Sequence, residues 1–284
     1  MAASAGPQRF ECAGTGVRLV GDRWEAANAR GAVVLLHGGG QTRHSWRRTG
    51  ARLAADGWTA LAYDARGHGE SDWDPRQDYT LDAFAADALA VARTLWAPPV
   101  LVGASLGGMT ALVAAGEHSG SARAIVLVDV VVELDRAGAG RIIDFLTAHR
   151  DGFATLEEVA DAVAAYNPIR RRPRNLDGLR KNVRRRADGR WYWHWDPAFI
   201  TIGDEPQRRA APARLRAAAS SLSIPTLLVR GAHSDVVSDA GMEDMQRLVP
   251  SARTIVVPGA GHMVAGDDND VFMTGLEAFL DDLG

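Results

Sequence analysis

Ser105 stands in PVLVGASLGGMTAL, residues 99–112. Gly103, Ser105 and Gly107 form a G-x-S-x-G pattern, with an apolar strand-like run before it and a helix-like segment after it. That context suits a serine nucleophile. The strand-to-helix turn must be sharp enough to lift the hydroxyl above the sheet. Side chains two positions to either side would collide with it, which explains both glycines. At a helix N-terminus, backbone N–H groups and the dipole favour negative charge. A glycine-rich turn with a bystander serine is the plainer alternative, and the flanking strand and helix argue against it.

Acyl transfer also needs donors for the oxyanion and a base for the hydroxyl proton. One donor is the N–H of Leu106, the residue after the nucleophile. The other is expected from AVVLLHGGGQTRHSW, residues 32–46, where a strand ends in His37-Gly38-Gly39-Gly40. Bare backbone can approach closely there, with Gly39 as first choice and Gly40 as second. Of eight histidines, His262 fits the base, because VVPGAGHMV places it on a glycine-rich loop just past the last strand. Asp235, on the loop after LLVRG, is the first choice for the orienting acid, since the order Ser, Asp, His is the one expected for such an elbow. Asp129, at the end of IVLVDVV, is the alternative.

These residues require a sheet that presents its strand ends together. Six runs read as buried strands: 32–36, 59–63, 99–103, 124–130, 225–231 and 253–259. Each is apolar on both faces, as in a parallel sheet covered by helices. Helix-like segments alternate with them; Leu81, Phe84, Ala88, Leu89, Ala92 and Leu95 form one apolar stripe with Thr80 as a plausible N-cap. The alternation predicts an α/β fold, opened by an antiparallel hairpin over RFECAGTGVRLVGDRWEA. Residues 133–222 lack any buried-strand run and are expected to form a mainly helical cap inserted into a core of 1–132 and 223–284.

The cap contains GRWYWHWDP (189–197), with three of the chain's eight tryptophans, preceded by nine Arg or Lys between Arg170 and Arg186. Aromatics beside basic residues can stack nucleic-acid bases. The formal net charge of −3 weighs against a nucleic-acid partner and leaves the basic run as solvated cap surface. Alternation puts Trp191, Trp193 and Trp195 on one face, Tyr192 and His194 on the other. Trp193 is the first choice to face the space above Ser105. His44, Trp46, Met263 and Val264 are further candidates for the pocket wall. An aromatic cap suits a small-molecule substrate with an apolar or aromatic group. The single Cys12, the absence of a signal-like N-terminus and of long apolar runs imply a soluble, cytoplasmic protein with no membrane partner. No Cys/His cluster has zinc spacing, so no metal or organic cofactor is expected. The sequence leaves the oligomeric state open.

Taken together, the HGGG loop, YDARGHGESD, the GASLGG elbow, GAHSD and GAGH resemble the α/β-hydrolase fold superfamily over nearly the whole chain. More narrowly, the chain is similar to cap-bearing serine esterases, perhydrolase-like enzymes and epoxide hydrolases. The resemblance implies a mostly parallel sheet with helices on both faces and a structural role for His68 in Arg66–Asp72. It also implies hydrolysis of an ester, thioester or lactone by a Ser-Asp-His triad through an acyl-enzyme. Serine at the elbow departs from the aspartate of epoxide hydrolases and haloalkane dehalogenases. The absence of Trp shortly after His262 departs from the carbon–carbon bond hydrolases. A carbon–carbon (1,3-diketone type) hydrolase and a catalytically silent binding protein remain the alternatives.

Overall fold

The computed structural model describes residues 6–166, 176–201, 205–262, 264 and 270–284. The elements in the first half are β1 (Gln8–Ala13), β2 (Arg18–Trp24), β3 (Gly31–Leu36), α1 (Arg47–Ala55), β4 (Trp58–Tyr63), α2 (Leu81–Ala92), β5 (Val100–Ala104), α3 (Leu106–Glu117) and β6 (Ala124–Val128). Then follow α4 (Arg136–Thr147), α5 (Leu156–Tyr166), β7 (Val183–Arg185), β8 (Trp191–Trp193), α6 (Glu205–Ser220), β9 (Thr226–Gly231), α7 (Asp239–Leu248), β10 (Arg253–Val257) and α8 (Asp270–Asp281).

The main sheet has the order β1-β2-β4-β3-β5-β6-β9-β10. The expected hairpin β1–β2 is antiparallel and joins β4 antiparallel; from β4 to β10 every pairing is parallel. The inner strands are buried on both faces because side-chain parity sorts them into two cores. Val34, Leu36, Leu61, Leu101, Ile125 and Leu127 pack under α2, α3 and α7, while Val33, Leu35, Ala60, Val100, Val102 and Val126 pack under α1 and α8. Each fully buried Val, Leu or Ile contributes about 1.5–3 kcal/mol relative to exposure. Thr80 does cap α2, accepting from the Ala83 N–H.

The stretch between β6 and β9 carries α4, α5, a small β7–β8 hairpin and α6. Leu146, Phe153, Val159, Trp193, Trp195 and Phe199 form a third apolar cluster, continuous with Tyr79, Phe84 and Leu106 of the core. The last helix of the stretch lies elsewhere. Leu215, Ala218 and Ala219 of α6 join the main core against α3, and a side chain at Gly116 would meet the Ala218 carbonyl. The layer above the strand ends is therefore built from residues before α6.

The loop after β4 is fixed from inside. Arg66, fully buried, donates to both oxygens of Asp87 on α2 at 2.8 and 2.9 Å and to Asp74 at 3.0 Å. Removing one partner of a buried ionic cluster leaves the others desolvated and uncompensated. Arg66→Met is therefore expected to lower stability by about 3–5 kcal/mol. A denaturant midpoint unchanged from wild type would refute this.

Candidate active site

Ser105 sits between β5 and α3 with φ 49° and ψ −116°, partly exposed at the N-terminus of the helix. The glycines around it behave as the spacing requires. A side chain at Gly103 would run into the Gly107 carbonyl, and one at Gly107 into the Leu36 carbonyl of the neighbouring strand. As the first residue of α3, Leu106 has an N–H with no intrahelical acceptor.

Parallel pairing puts Ala104 opposite Val128, and the Ser105 N–H donates to the Val128 carbonyl at 3.1 Å. The next residue on that strand is Asp129, also at positive φ (51°). Left-handed backbone costs a non-glycine residue about 1–3 kcal/mol and gathers at functional sites. Here two such residues end adjacent strands.

Asp129 is 1 % exposed, and its carboxylate is held by three donors. Oδ1 accepts from the Gly231 N–H at 3.0 Å; Oδ2 accepts from Ser234 Oγ at 2.6 Å and pairs with His262 Nδ1 at 2.7 Å. The expectation for Asp235 is not met by the geometry. Its carboxylate is half exposed and pairs with Arg141 of α4 at 2.6 Å, so it ties the β9 loop to the layer above. The GAHSD loop instead buttresses the Asp129 carboxylate. Gly231 and Ser234 hold Asp129, the His233 N–H donates to the Ala260 carbonyl at 2.8 Å, and only a glycine at 231 lets the Ala260–Gly261 backbone pass.

Imidazoles brace the glycine loop. His37 Nδ1–H donates to the Gly38 carbonyl (2.8 Å) while its Nε2 accepts from Ala65 N–H. His68 accepts the Gly40 N–H at its Nε2 (3.1 Å), leaving Nδ1–H for the Arg66 carbonyl. His194 accepts the Gly69 N–H at Nδ1 (2.8 Å), so its Nε2–H donates to the Gly40 carbonyl (3.2 Å). The Gly38 N–H is taken by Gln41 Oε1 at 3.0 Å. Among the described residues, the Gly39 N–H has no such partner. The second-choice donor, Gly40, is thus already engaged, and Gly39 is the one left.

A family profile described as alpha/beta hydrolase fold matches residues 31–268. The chain belongs to this family. The esterase Rv0045c of Mycobacterium tuberculosis is 32 % identical over 255 residues, covering 86 % of this chain and 80 % of that protein. The 2-(acetamidomethylene)succinate hydrolase of Mesorhizobium japonicum is 29 % identical over 232 residues, covering 80 % of each. A solved E-2-(acetamidomethylene)succinate hydrolase superposes with a TM-score of 0.83 at 24 % identity over 97 % of this chain and 99 % of that one, a likeness of fold.

Several expected wall residues of this α/β hydrolase are taken up in core packing or ion pairing. Trp46 is fully buried in the core, against Phe272, and Val264 joins the same cluster. His44 Nδ1 lies 3.8 Å from the carboxylate of Asp22 on β2. Trp193 is 7 % exposed, stacked on Trp195 at 4.8 Å and edge-on to Phe153, so it packs the inside of the upper layer. Met263 lies outside the described residues. The rings that reach the glycine loop are different ones. A Cβ on Gly39 would be 3.4 Å from Phe199, and one on Gly40 3.3 Å from Trp195. Sequence alternation could not distinguish Trp193 from Trp195, and Phe199 carried no motif. Of the basic run, residues 170–175 fall outside the described residues. Arg180 and Arg185 cover the Trp191 ring, and Arg186 covers Tyr192 at 3.9 Å. Those ring faces are occupied by the chain's own guanidinium groups. Among the described residues, no His, Cys, Asp or Glu cluster is arranged to hold a metal ion. No helix among them is long and apolar enough to cross a membrane.

The bracing imidazoles make stability pH-dependent. Burial pushes His37 down, His68 well down, and His194 down to about 3. In the unfolded chain each takes up a proton near pH 6.5. Below that pH the unfolded state binds more protons than the folded one, so stability falls as pH falls, from about 6.5 toward about 3 for His194. Each imidazole contributes up to about 1.4 kcal/mol per pH unit. Urea midpoints should drop between pH 7 and 5, above the range where most carboxylates titrate; a flat profile would refute the assignment of neutral imidazoles.

Proposed function

We propose that the chain is a serine hydrolase that cleaves ester-like bonds (ester, thioester or lactone) in small molecules through an acyl-enzyme on Ser105. The observation that carries it is the Asp129–His262 hydrogen bond, formed beside a serine held at positive φ on a helix N-terminus. His262 takes the Ser105 proton during attack on the carbonyl. Asp129 holds Nδ1–H, which presents Nε2 as the base, and stabilises the imidazolium that forms. The N–H groups of Leu106 and Gly39 receive the oxyanion. His262 then returns the proton to the leaving group and activates the water that releases the acid.

Leu106, Leu146, Trp195 and Phe199 gather about Gly39 and Gly40, which favours a substrate with an apolar or aromatic group beside the scissile carbonyl. The 133–222 segment acts as the cap that roofs this site, up to the helix α6 that returns to the core. Similarity to an esterase from Mycobacterium tuberculosis supports the ester-like substrate class. The single cysteine, unpaired Cys12, fits a cytoplasmic enzyme.

A fluorophosphonate probe tests this directly. Wild type is expected to label at Ser105 and to hydrolyse members of a panel of acyl esters, thioesters and lactones, while Ser105→Ala does neither. A folded wild type that resists the probe, or a Ser105→Ala variant that still turns over esters, would overturn the proposal.

A further inference from the structure

His194 belongs to the layer above the sheet, yet both its ring nitrogens bond to core backbone. It accepts from Gly69 N–H and donates to the Gly40 carbonyl. It is 1 % exposed and lies in a file of rings, 5.8 Å from His68, which is in turn 5.2 Å from His37. The same segment is sutured to the loop after β4 at other points. The Asp196 N–H donates to the Gly67 carbonyl (2.8 Å), Tyr79 Oη–H donates to Asp196 Oδ2 (2.5 Å), and Arg184 donates to the Gly69 carbonyl. Those contacts explain attachment of the layer. They do not require a bond to Gly40.

Gly40 is gripped from both sides. Its N–H is fixed by His68 from the core and its carbonyl by His194 from above. Gly40 also has φ +72°, a backbone state with alternatives open to it unless both groups are tied. The peptide carrying the Gly39 N–H is held at its own Gly38 carbonyl by His37 Nδ1–H and the Gln41 N–H, and on its far side the chain continues into the gripped Gly40. An oxyanion donor is effective only if its direction is set before charge develops, and a misplacement of about 1 Å can cost about 100-fold in rate.

We propose that His194 is a positioning residue for the oxyanion hole, holding the Gly39 N–H in its donor orientation through the Gly40 carbonyl, so that seating of the upper layer completes the site. This rests on the Ser105 acyl-transfer reading. Asn and Gln separate the two bonds of His194. The Asn side chain matches Nδ1 and keeps the Gly69 bond, whereas Gln reaches as far as Nε2 and keeps the donor to Gly40. Asp196→Asn, which weakens a suture but not the grip on Gly40, is the stability control.

The readout is fluorophosphonate labelling of Ser105, whose phosphoryl oxygen enters the same hole, resolved into the maximal rate kinact and the half-saturation KI. All proteins are measured below their melting transitions. His194→Asn is expected to lower kinact about 10- to 100-fold with KI within about threefold. His194→Gln should recover most of that loss, and Asp196→Asn should lose stability yet keep kinact within about twofold. If His194→Asn does not fold, His194→Ala measured at lower temperature, which gives up both bonds, is set against His194→Gln, kinact following the Gly40 bond and not the melting temperature. The proposal is overturned if kinact of His194→Asn stays within about twofold of wild type. It is equally overturned if kinact falls in step with stability across all variants. Failure of the serine-hydrolase reading looks different, because then wild type itself does not label.

Discussion

Asp129→Asn is expected to lower kcat on a responsive ester by about four powers of ten, with Asp235→Asn staying within about twofold of wild type. The asymmetry follows from what each carboxylate faces. Asp129 offers only acceptors to three donors, and one of them is His262 Nδ1. An amide there must turn its NH2 toward one of those donors. If it faces His262, Nδ1 becomes the acceptor and the ring proton moves to Nε2, the nitrogen that must take the Ser105 proton. The base is then in the wrong tautomer, and no negative partner is left for the imidazolium. Asp235 has half its side chain in water and, among the described residues, a single ionic partner, Arg141, itself 55 % exposed. Exposed pairs of that kind contribute about 0–1 kcal/mol, so Asp235→Asn should shift stability slightly and chemistry hardly at all. Steady-state kcat for the two variants decides between the acids. A larger loss for Asp235→Asn than for Asp129→Asn would return the role to Asp235.

Ser105→Ala is expected to lower kcat by about 10⁶, and adding Asp129→Asn to it should lower kcat no further. Once the nucleophile is gone, orienting the base has nothing left to act on, so the two losses do not add. What survives is rate enhancement from binding and from the N–H groups of Leu106 and Gly39, which do not involve the serine side chain. Alanine retains a Cβ at φ 49°, so the elbow carries the same backbone strain in the variant and the fold should hold. Single-turnover measurements on the two single variants and the double variant test this. A double variant at least tenfold slower than Ser105→Ala would mean that Asp129 acts on the reaction by a route other than His262.

Much of this arrangement was legible in the chain. The six apolar runs became the parallel strands of the sheet to within a residue or two at their ends, because a strand buried on both faces leaves a continuous apolar signature. Gly103 and Gly107 announced the elbow because the clash they avoid is local, between backbone atoms a few residues apart or on the adjoining strand. His262 stood out because it follows a strand on a glycine-rich loop. The insertion was visible as a gap in the strand rhythm. Its final helix was not assignable, since whether Leu215, Ala218 and Ala219 face α3 or the upper layer depends on a docking the pattern does not encode.

The sequence by itself determined the hydrolase family and marked the residues on which the proposed chemistry rests: a serine on a strained turn, a glycine-rich loop after a strand and a histidine past the last strand. Tertiary structure decided the partners. Asp129 and Asp235 both follow strands, and only the parallel register of β5 with β6 brings Asp129 beside the elbow, while α4 draws Asp235 away through Arg141. Likewise Trp193, Trp195 and His194 are neighbours in one short extended segment, yet one packs inside the upper layer, one reaches Gly40 and one grips its carbonyl. Spacing along a chain fixes which face a residue shares with its neighbours. Which surface that face meets is set by residues far away along the chain, through contacts that only the folded chain makes.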